Sequence, residues 1–274
     1  MIKAGVIGWP IKHTLSPHLH GWWLGHYAID GSYEAYPVEP AELKDFVYQL
    51  HPAGFAGVNV TVPHKQAVVP FMSELSDTAA RMGAVNTIVV QKDGRLFGDN
   101  TDGYGFITSL REELPEWNTQ RPAVVLGAGG AARAVVDTLY GAGVPEIHII
   151  NRTRENAAKL ATDLKVPARL HDWEHAPAIL AQCGLLVNTT VLGMAGQPPL
   201  DLPLETLAPD AVVYDLIYNP LETWLVRSAK ERGNAASGGL GMLLHQAVPG
   251  FASWFGRTPH VMPEQRKAIE ALLS

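Results

Sequence analysis

Two short strings in this chain carry more chemistry than a loop needs. The first is Asn59-Val60-Thr61-Val62-Pro63-His64-Lys65. Strand alternation places Asn59 and Thr61 on one face, Pro63 stops the strand, and Lys65 follows in the first turn beyond it. Two same-face polar groups followed by a mobile ammonium suit a hydroxylated substrate. A ketone oxygen gains negative charge as hydride reaches its carbon, and a cation or acid placed there lowers the barrier. The second string, Gly98-Asp99-Asn100-Thr101-Asp102-Gly103, reads as a polar turn with glycine at both ends, and Asn, Asp and Gly are also ordinary turn formers. A carboxylate can hold an ammonium in place and accept a substrate hydroxyl. Lys65 with Asp102 is the pair that fits those roles, although sequence alone does not bring them together.

Nearer the N-terminus, Thr14 and Ser16 precede Pro17, a pattern that suits the start of a helix. Ser16 reads either as the cap of that helix or, with Thr14, as a pair of hydroxyls for a substrate carboxylate. Further on, Val124-Val125-Leu126 runs into Gly127-Ala128-Gly129-Gly130-Ala131-Ala132, which fits G-x-G-x-x-A between a strand and a helix. Gly127 permits the tight turn, Gly129 lets backbone approach a pyrophosphate, and Ala132 allows close helix–strand packing. The helix start offers N–H groups and a positive dipole end to phosphates. The next strand runs into Asn151-Arg152-Thr153-Arg154, with no carboxylate before Glu155. Two guanidiniums suit a ribose 2′-phosphate and an acid would repel it, so NADP(H) is expected over NAD. The alternative is a solvated basic loop.

The elements needed to position these groups follow from hydrophobic periodicity and turn residues. Strands are expected at 4–7, 33–37, 57–62, 86–91, 123–126, 146–150, 185–188 and 212–216. Helices are expected at 17–27, 41–50, 73–81, 130–141 and 221–232, with a helical end from 242 interrupted near Pro249 and Pro259. Such alternation is that of an α/β protein. Two domains are expected: a substrate-binding catalytic domain over 1–103, to which C-terminal helices 242–274 return, and a Rossmann-type dinucleotide domain over 104–241.

Composition narrows the function classes. The chain has 274 residues and a net charge of −6, without the basic excess of a nucleic-acid binder. Cys183 is the sole cysteine, which excludes an internal disulfide and a cysteine-based zinc site and reads as a small buried hydrophobe. His13, His18, His20 and His26 have no paired helical spacing, and no metal is expected. Trp22 and Trp23 read as packing residues. The N-terminus breaks too early for a signal peptide and no apolar run is of membrane-spanning length. The expectation is a cytoplasmic monomer or homodimer acting on a small molecule, with neither nucleic acid nor membrane as partner.

Taken together, these strings resemble the shikimate dehydrogenase family. The resemblance also draws on Gly83-Ala84-Val85-Asn86-Thr87, Asn188-Thr189-Thr190, Asp215-Leu216-Ile217-Tyr218-Asn219-Pro220 and 238–247, and runs in order through nearly the whole chain. It implies reversible reduction of 3-dehydroshikimate to shikimate with NADPH, in a cleft between two α/β domains. Lys65 and Asp102 match the catalytic pair. Ser16, Thr61, Asn86 and Gln246 match substrate positions, Thr14 stands where the family usually has serine, and Asn59 joins them as a hydroxyl partner. Tyr218 and Gly239 match positions lining the cleft. Asn151, Arg152 and Thr153 match the adenosine-phosphate site, with Thr189 and Arg154 beside the cofactor. Gly21 stands where the family often has asparagine. The methyl of Thr14 leaves activity on quinate open. Use of NAD, a non-catalytic NADP-binding regulator and a tetrahydrofolate-linked dehydrogenase of the same plan are the other readings, and the Asn59 to Lys65 string argues against the last.

Overall fold

A computed structural model describes residues 1–273. The chain forms two compact units, Met1–Thr101 with Gln246–Leu272, and Asp102–His245.

The first unit opens with β1 (Ile2–Gly8), α1 (Ser16–His26), β2 (Gly31–Pro37), α2 (Leu43–Gln49) and β3 (Phe55–Val60). It continues through β4 (Glu74–Leu75), α3 (Asp77–Met82), β5 (Thr87–Val90) and β6 (Leu96–Asp99). The six described strands lie in the order β2-β1-β3-β5-β6-β4. β1 runs parallel to β2 and β3, joined through helices, whereas β5 and β6 are antiparallel across a short turn at Asp93-Gly94, as connection length dictates. Ile7, Val58, Val60, Val85 and Ile88 are buried in the core of this sheet.

The second unit contains α4 (Asp102–Glu113), β7 (Ala123–Leu126), α5 (Gly130–Gly141), β8 (Ile147–Ile150), α6 (Arg154–Leu164) and β9 (Arg169–His171). Then come α7 (Ala176–Leu180), β10 (Leu185–Asn188), β11 (Val212–Asp215), α8 (Trp224–Glu231) and β12 (Ala236–Ser237). All six described strands are parallel, in the order β12-β11-β10-β7-β8-β9. Both faces are covered: Ala123 and Val125 enter one apolar cluster, Val124 and Leu126 the other. The winding changes direction between β7 and β10, the place where open parallel sheets bind dinucleotides.

The later chain forms α9 (Leu240–Phe255) and α10 (Pro263–Glu270), and residues 246–272 belong to the first unit. Trp254 donates its Nε1–H to Ile88 O at 3.0 Å, and a Cβ on Gly57 would lie 2.1 Å from that nitrogen. Trp23 is fully buried and donates to His260 O at 2.9 Å, while Trp22 stacks on His26. His20 is also fully buried, among Trp23, Phe251 and Trp254, with its ring stacked 3.9 Å from that of Tyr33. Neither of its ring nitrogens has a hydrogen-bond partner among the described residues. Cys183 is buried.

Several expected elements differ. The stretch 73–81 is not one helix: Glu74 and Leu75 pair with β6, and Ser76 then caps α3 by accepting from Ala79 N at 3.0 Å. Gly98 and Asp99 are not turn residues but the end of β6, opposite Ile88 and Thr87. A Cβ on Gly98 would approach Met72 and Val85 to 2.8 Å, so this glycine answers to packing. Ser16 does not cap α1; Leu15 is the cap residue and Ser16 is the first helical residue. The C-terminal helix does not break at Pro249 but runs through it to Phe255. Helices α6 and α7 and strands β9 and β12 were not foreseen.

Candidate active site

In the first unit, the C-terminal ends of β1 and β3 place the polar string. Thr61 leaves β3 but still pairs with β1, its N–H donating to Ile7 O at 2.9 Å. His64 is buried, and its Nε2 lies 2.7 Å from Val38 O. A carbonyl only accepts, so that nitrogen carries the proton and anchors the residue beside Lys65. The Lys65 carbonyl accepts from Val85 N at 2.7 Å, which ties the loop to the segment carrying Asn86. Thr14 Oγ1 and Ser16 Oγ are 3.2 Å apart, and Ser16 N donates to Thr14 Oγ1 at 3.3 Å. The structure therefore brings these two hydroxyls together.

Asn59 is buried and its amide is heavily engaged. Its Oδ1 accepts from Tyr33 OH at 2.5 Å, and its Nδ2 donates to Asn86 O at 3.1 Å and to Thr87 Oγ1 at 3.2 Å. Both amide hydrogens are thereby used, so Asn59 can meet a substrate hydroxyl only as an acceptor. Asn86 is held by Thr101: its Oδ1 accepts from Thr101 N at 2.9 Å, and its Nδ2 donates to Thr101 Oγ1 at 3.0 Å. The Thr101 hydroxyl donates to Gln246 O at 2.7 Å, fixing the backbone of that residue. Tyr33, Thr87 and Thr101 were not singled out as site residues from the sequence. Apart from the contact of Thr87 with its neighbour Asn86, these bonds span 15 to 145 residues, where periodicity gives no signal.

In the second unit, Asp102 is buried and is the first residue of α4. Lys65 and Asp102 thus belong to different units.

The second unit also carries the glycine turn. Gly127 has φ +104°, and a Cβ there would lie 2.8 Å from Thr189 Oγ1. Thr189 donates that hydroxyl to Leu126 O at 2.6 Å, which closes the turn against β10. At Gly129 and Gly130 a Cβ would meet nothing within 4 Å. Gly129 precedes α5 with no side-chain cap, so the first-turn N–H groups face open ground, while Ala132 packs fully buried below. Ala128 and Ala131, both partly buried, complete the turn. Room for phosphate oxygens at a helix start with unclaimed donors fits a dinucleotide pyrophosphate.

Beyond β8, Asn151 Nδ2 donates to Thr153 O at 2.7 Å and so shapes the loop that holds exposed Arg152. Arg154 opens α6 and lies 3.6 Å from Asp172, so one of the two expected guanidiniums already has a carboxylate partner. Tyr218 is half-buried after β11, and burial raises the pKa of its hydroxyl. Gly239 N donates to Ile217 O at 2.9 Å, and a Cβ on Gly239 would lie 1.9 Å from Leu216 O. Its glycine character is thus required by the backbone after β11.

Sequence reasoning passed over Asp215 as more than part of a motif. This buried carboxylate accepts from Asn188 Nδ2 at 2.9 Å, Ile217 N at 3.1 Å and Thr223 Oγ1 at 2.7 Å. Asn188 in turn accepts from Thr190 N at 3.0 Å. One carboxylate therefore organises the loops after β10 and β11. Burial pushes its pKa up to about 6, against the pull of those three hydrogen bonds.

Comparison with known proteins places both units. Residues 6–88 match the shikimate dehydrogenase substrate binding domain, and residues 110–192 match the family described as shikimate / quinate 5-dehydrogenase. A protein named shikimate dehydrogenase (NADP(+)) from Paramagnetospirillum magneticum is 54% identical over 97% of this chain and 97% of its own. Shikimate 5-dehydrogenase from Thermus thermophilus, solved in complex with NADP(H) and shikimate, is 37% identical over 100% of both chains, with a TM-score of 0.88. Quinate dehydrogenase from Corynebacterium glutamicum, solved in complex with NAD, is 30% identical over 98% of this chain and 99% of its own, with a TM-score of 0.92. By full-length likeness and by both of its units, this chain belongs to the shikimate dehydrogenase family.

Proposed function

We propose that the chain is an NADP-dependent oxidoreductase that reversibly reduces 3-dehydroshikimate to shikimate. The observation that carries this reading is the 54% identity, over 97% of the chain, to a protein named for that activity and cofactor. The open ground at Gly129 and Gly130 supports the cofactor half of it.

In this reading the first unit binds substrate and the second binds the dinucleotide. The backbone from Gly127 through Ala128, Gly129, Gly130 and Ala131 would hold the pyrophosphate, with Thr189 and Gly239 shaping the loops beside it. Asn151, Arg152, Thr153 and Arg154 would take the adenosine 2′-phosphate. Bound NADPH supplies the hydride. Thr14 and Ser16 donate hydroxyls to the substrate carboxylate. Asn59, Thr61, Asn86, Gln246 and Tyr218 meet the hydroxyl groups of the ring, Asn59 as an acceptor. Lys65 stabilises the ketone oxygen as charge develops and supplies its proton, while Asp102 orients the ammonium and accepts a substrate hydroxyl. The protein works in the cytoplasm as a monomer or homodimer.

The test is absorbance at the reduced nicotinamide band with purified protein, shikimate and NADP(+). Shikimate-dependent reduction is expected. Running quinate and NAD in parallel separates the second reading, which the likeness to an NAD-bound quinate dehydrogenase favours. A larger kcat/KM for quinate or for NAD would replace the first reading with the second.

A further inference from the structure

We propose that Thr87 is a positioning residue that, together with Thr101, holds the Asn86 amide in the direction it presents to its substrate. The inference rests on the reading of Asn86 as a substrate-binding residue.

Thr87 is only 2% exposed, and so is Asn86. The Thr87 hydroxyl lies between two amides, 3.2 Å from Asn59 Nδ2 and 2.9 Å from Asn86 Oδ1. An amide can be turned end for end at little steric cost, so hydrogen bonding alone decides its direction. Here the direction is determined from groups that can play only one part. Asn86 O is a carbonyl and can only accept, so the end of Asn59 near it must be the NH2. That NH2 also donates to Thr87 Oγ1, which leaves the single hydroxyl hydrogen of Thr87 for Asn86 Oδ1. On the other side, Thr101 N can only donate, and it too points at Asn86 Oδ1. The Thr101 hydroxyl gives its hydrogen to Gln246 O, so it accepts from Asn86 Nδ2.

The hydrogens that Tyr33, Asn59, Thr87 and Thr101 contribute to this chain are thereby assigned, and they agree on one direction for the Asn86 amide. Thr87 is the link through which the state of Asn59 reaches Asn86. With a methyl in place of its hydroxyl, Asn59 Nδ2 would lose an acceptor and Asn86 Oδ1 a donor, both in a buried setting where an unmade hydrogen bond is costly. The Asn86 amide would lose one of the groups that fix its direction, beside the two bonds from Thr101, and would be presented less firmly to a ring hydroxyl.

The experiment is steady-state kinetics on the full chain for wild type, Thr87→Val, Thr87→Ser, Asn86→Ala and the double variant Thr87→Val/Asn86→Ala. Thr87→Val is expected to raise KM for shikimate about tenfold, the factor for one lost buried hydrogen bond, with KM for NADP(+) unchanged. Thr87→Ser keeps the hydroxyl and is expected within about twofold of wild type. In the Asn86→Ala background, Thr87→Val is expected to add little, because it acts through the removed amide. A flat KM for shikimate in Thr87→Val, a failure of serine to rescue, or full additivity in the double variant would each overturn the proposal. Failure of the underlying reading looks different: Asn86→Ala itself would leave the shikimate KM untouched, and the proposal would fall with it.

Discussion

His20 offers a quantitative test of the first unit, because burial and a missing partner act together on one ring. Burial depresses its pKa from 6.5 to about 3, with the nearby Asn59 amide opposing this to a lesser degree. The folded protein therefore keeps the ring neutral, while the unfolded chain takes up a proton below pH 6.5. The contribution to stability is complete above the unfolded value and is lost as pH falls toward the folded one, at about 1.4 kcal/mol per pH unit. Between pH 7 and pH 5 the loss from this group amounts to about 2 kcal/mol. Asp215 works the other way over the same window. Its pKa, raised to about 6, returns about 1.3 kcal/mol as pH drops from 7 to 5. The net acid sensitivity of the wild type thus hides both effects. Phenylalanine keeps the stack on Tyr33 and cannot titrate, so the His20→Phe variant isolates the first. Urea unfolding of both proteins at pH 5, 6 and 7 measures the difference between them, in which all other titrations cancel. His20→Phe is expected to gain about 2 kcal/mol relative to wild type on going from pH 7 to pH 5. Parallel stability profiles for the two proteins would refute the reasoning, since they would mean that the ring takes up protons equally in both states.

Three further outcomes are expected. Lys65→Ala should lose on the order of a hundredfold in kcat with little change in shikimate binding, measured by steady-state kinetics and titration; an unchanged kcat removes Lys65 from the chemistry. Arg152→Ala should weaken NADP(+) much more than NAD, because Arg154 lies beside Asp172 whereas Arg152 has no acidic partner among the described residues; equal losses for both cofactors would assign Arg152 a structural role. In Asp215→Asn, the about 2 kcal/mol that this carboxylate contributes at pH 4 relative to pH 6 should vanish, so stability climbs more steeply than in wild type as pH rises through the window in which the native carboxylate holds a proton that the unfolded chain has already released; urea midpoints that keep the wild-type slope there would contradict this.

The cofactor half of the fold was legible because its signals are local. A strand ending at Leu126, a glycine turn and a helix over 130–141 occupy consecutive residues, and the structure has α5 at those bounds. The substrate half was legible as strings but not as contacts. Asn59 alternates with Thr61 as a strand residue should, yet its partners Tyr33, Asn86 and Thr87 come from other strands and their ends, so its missing donor capacity could not be read. Gly98 and Asp99 look like turn residues because the strand they end is four residues long and lies beside a run of turn formers. Strands β4 and β12 have two residues each, too few for any alternation to register. His20 shows the opposite limit: a histidine among aromatics gives no hint in sequence that neither nitrogen will find a partner.

The discontinuity of the first unit has a consequence for biosynthesis. Residues 102–245 are contiguous and leave the ribosome with everything their sheet requires. The first 101 residues do not, because Gly57 keeps a slot for Trp254, Trp23 awaits the carbonyl of His260, and Leu19 O awaits Gln265. During translation the nascent amino-terminal sheet must persist with that face uncovered until the whole second unit has emerged. A chain released early, or stalled before residue 246, would present bare Trp23 and Tyr33 surface to chaperones and proteases.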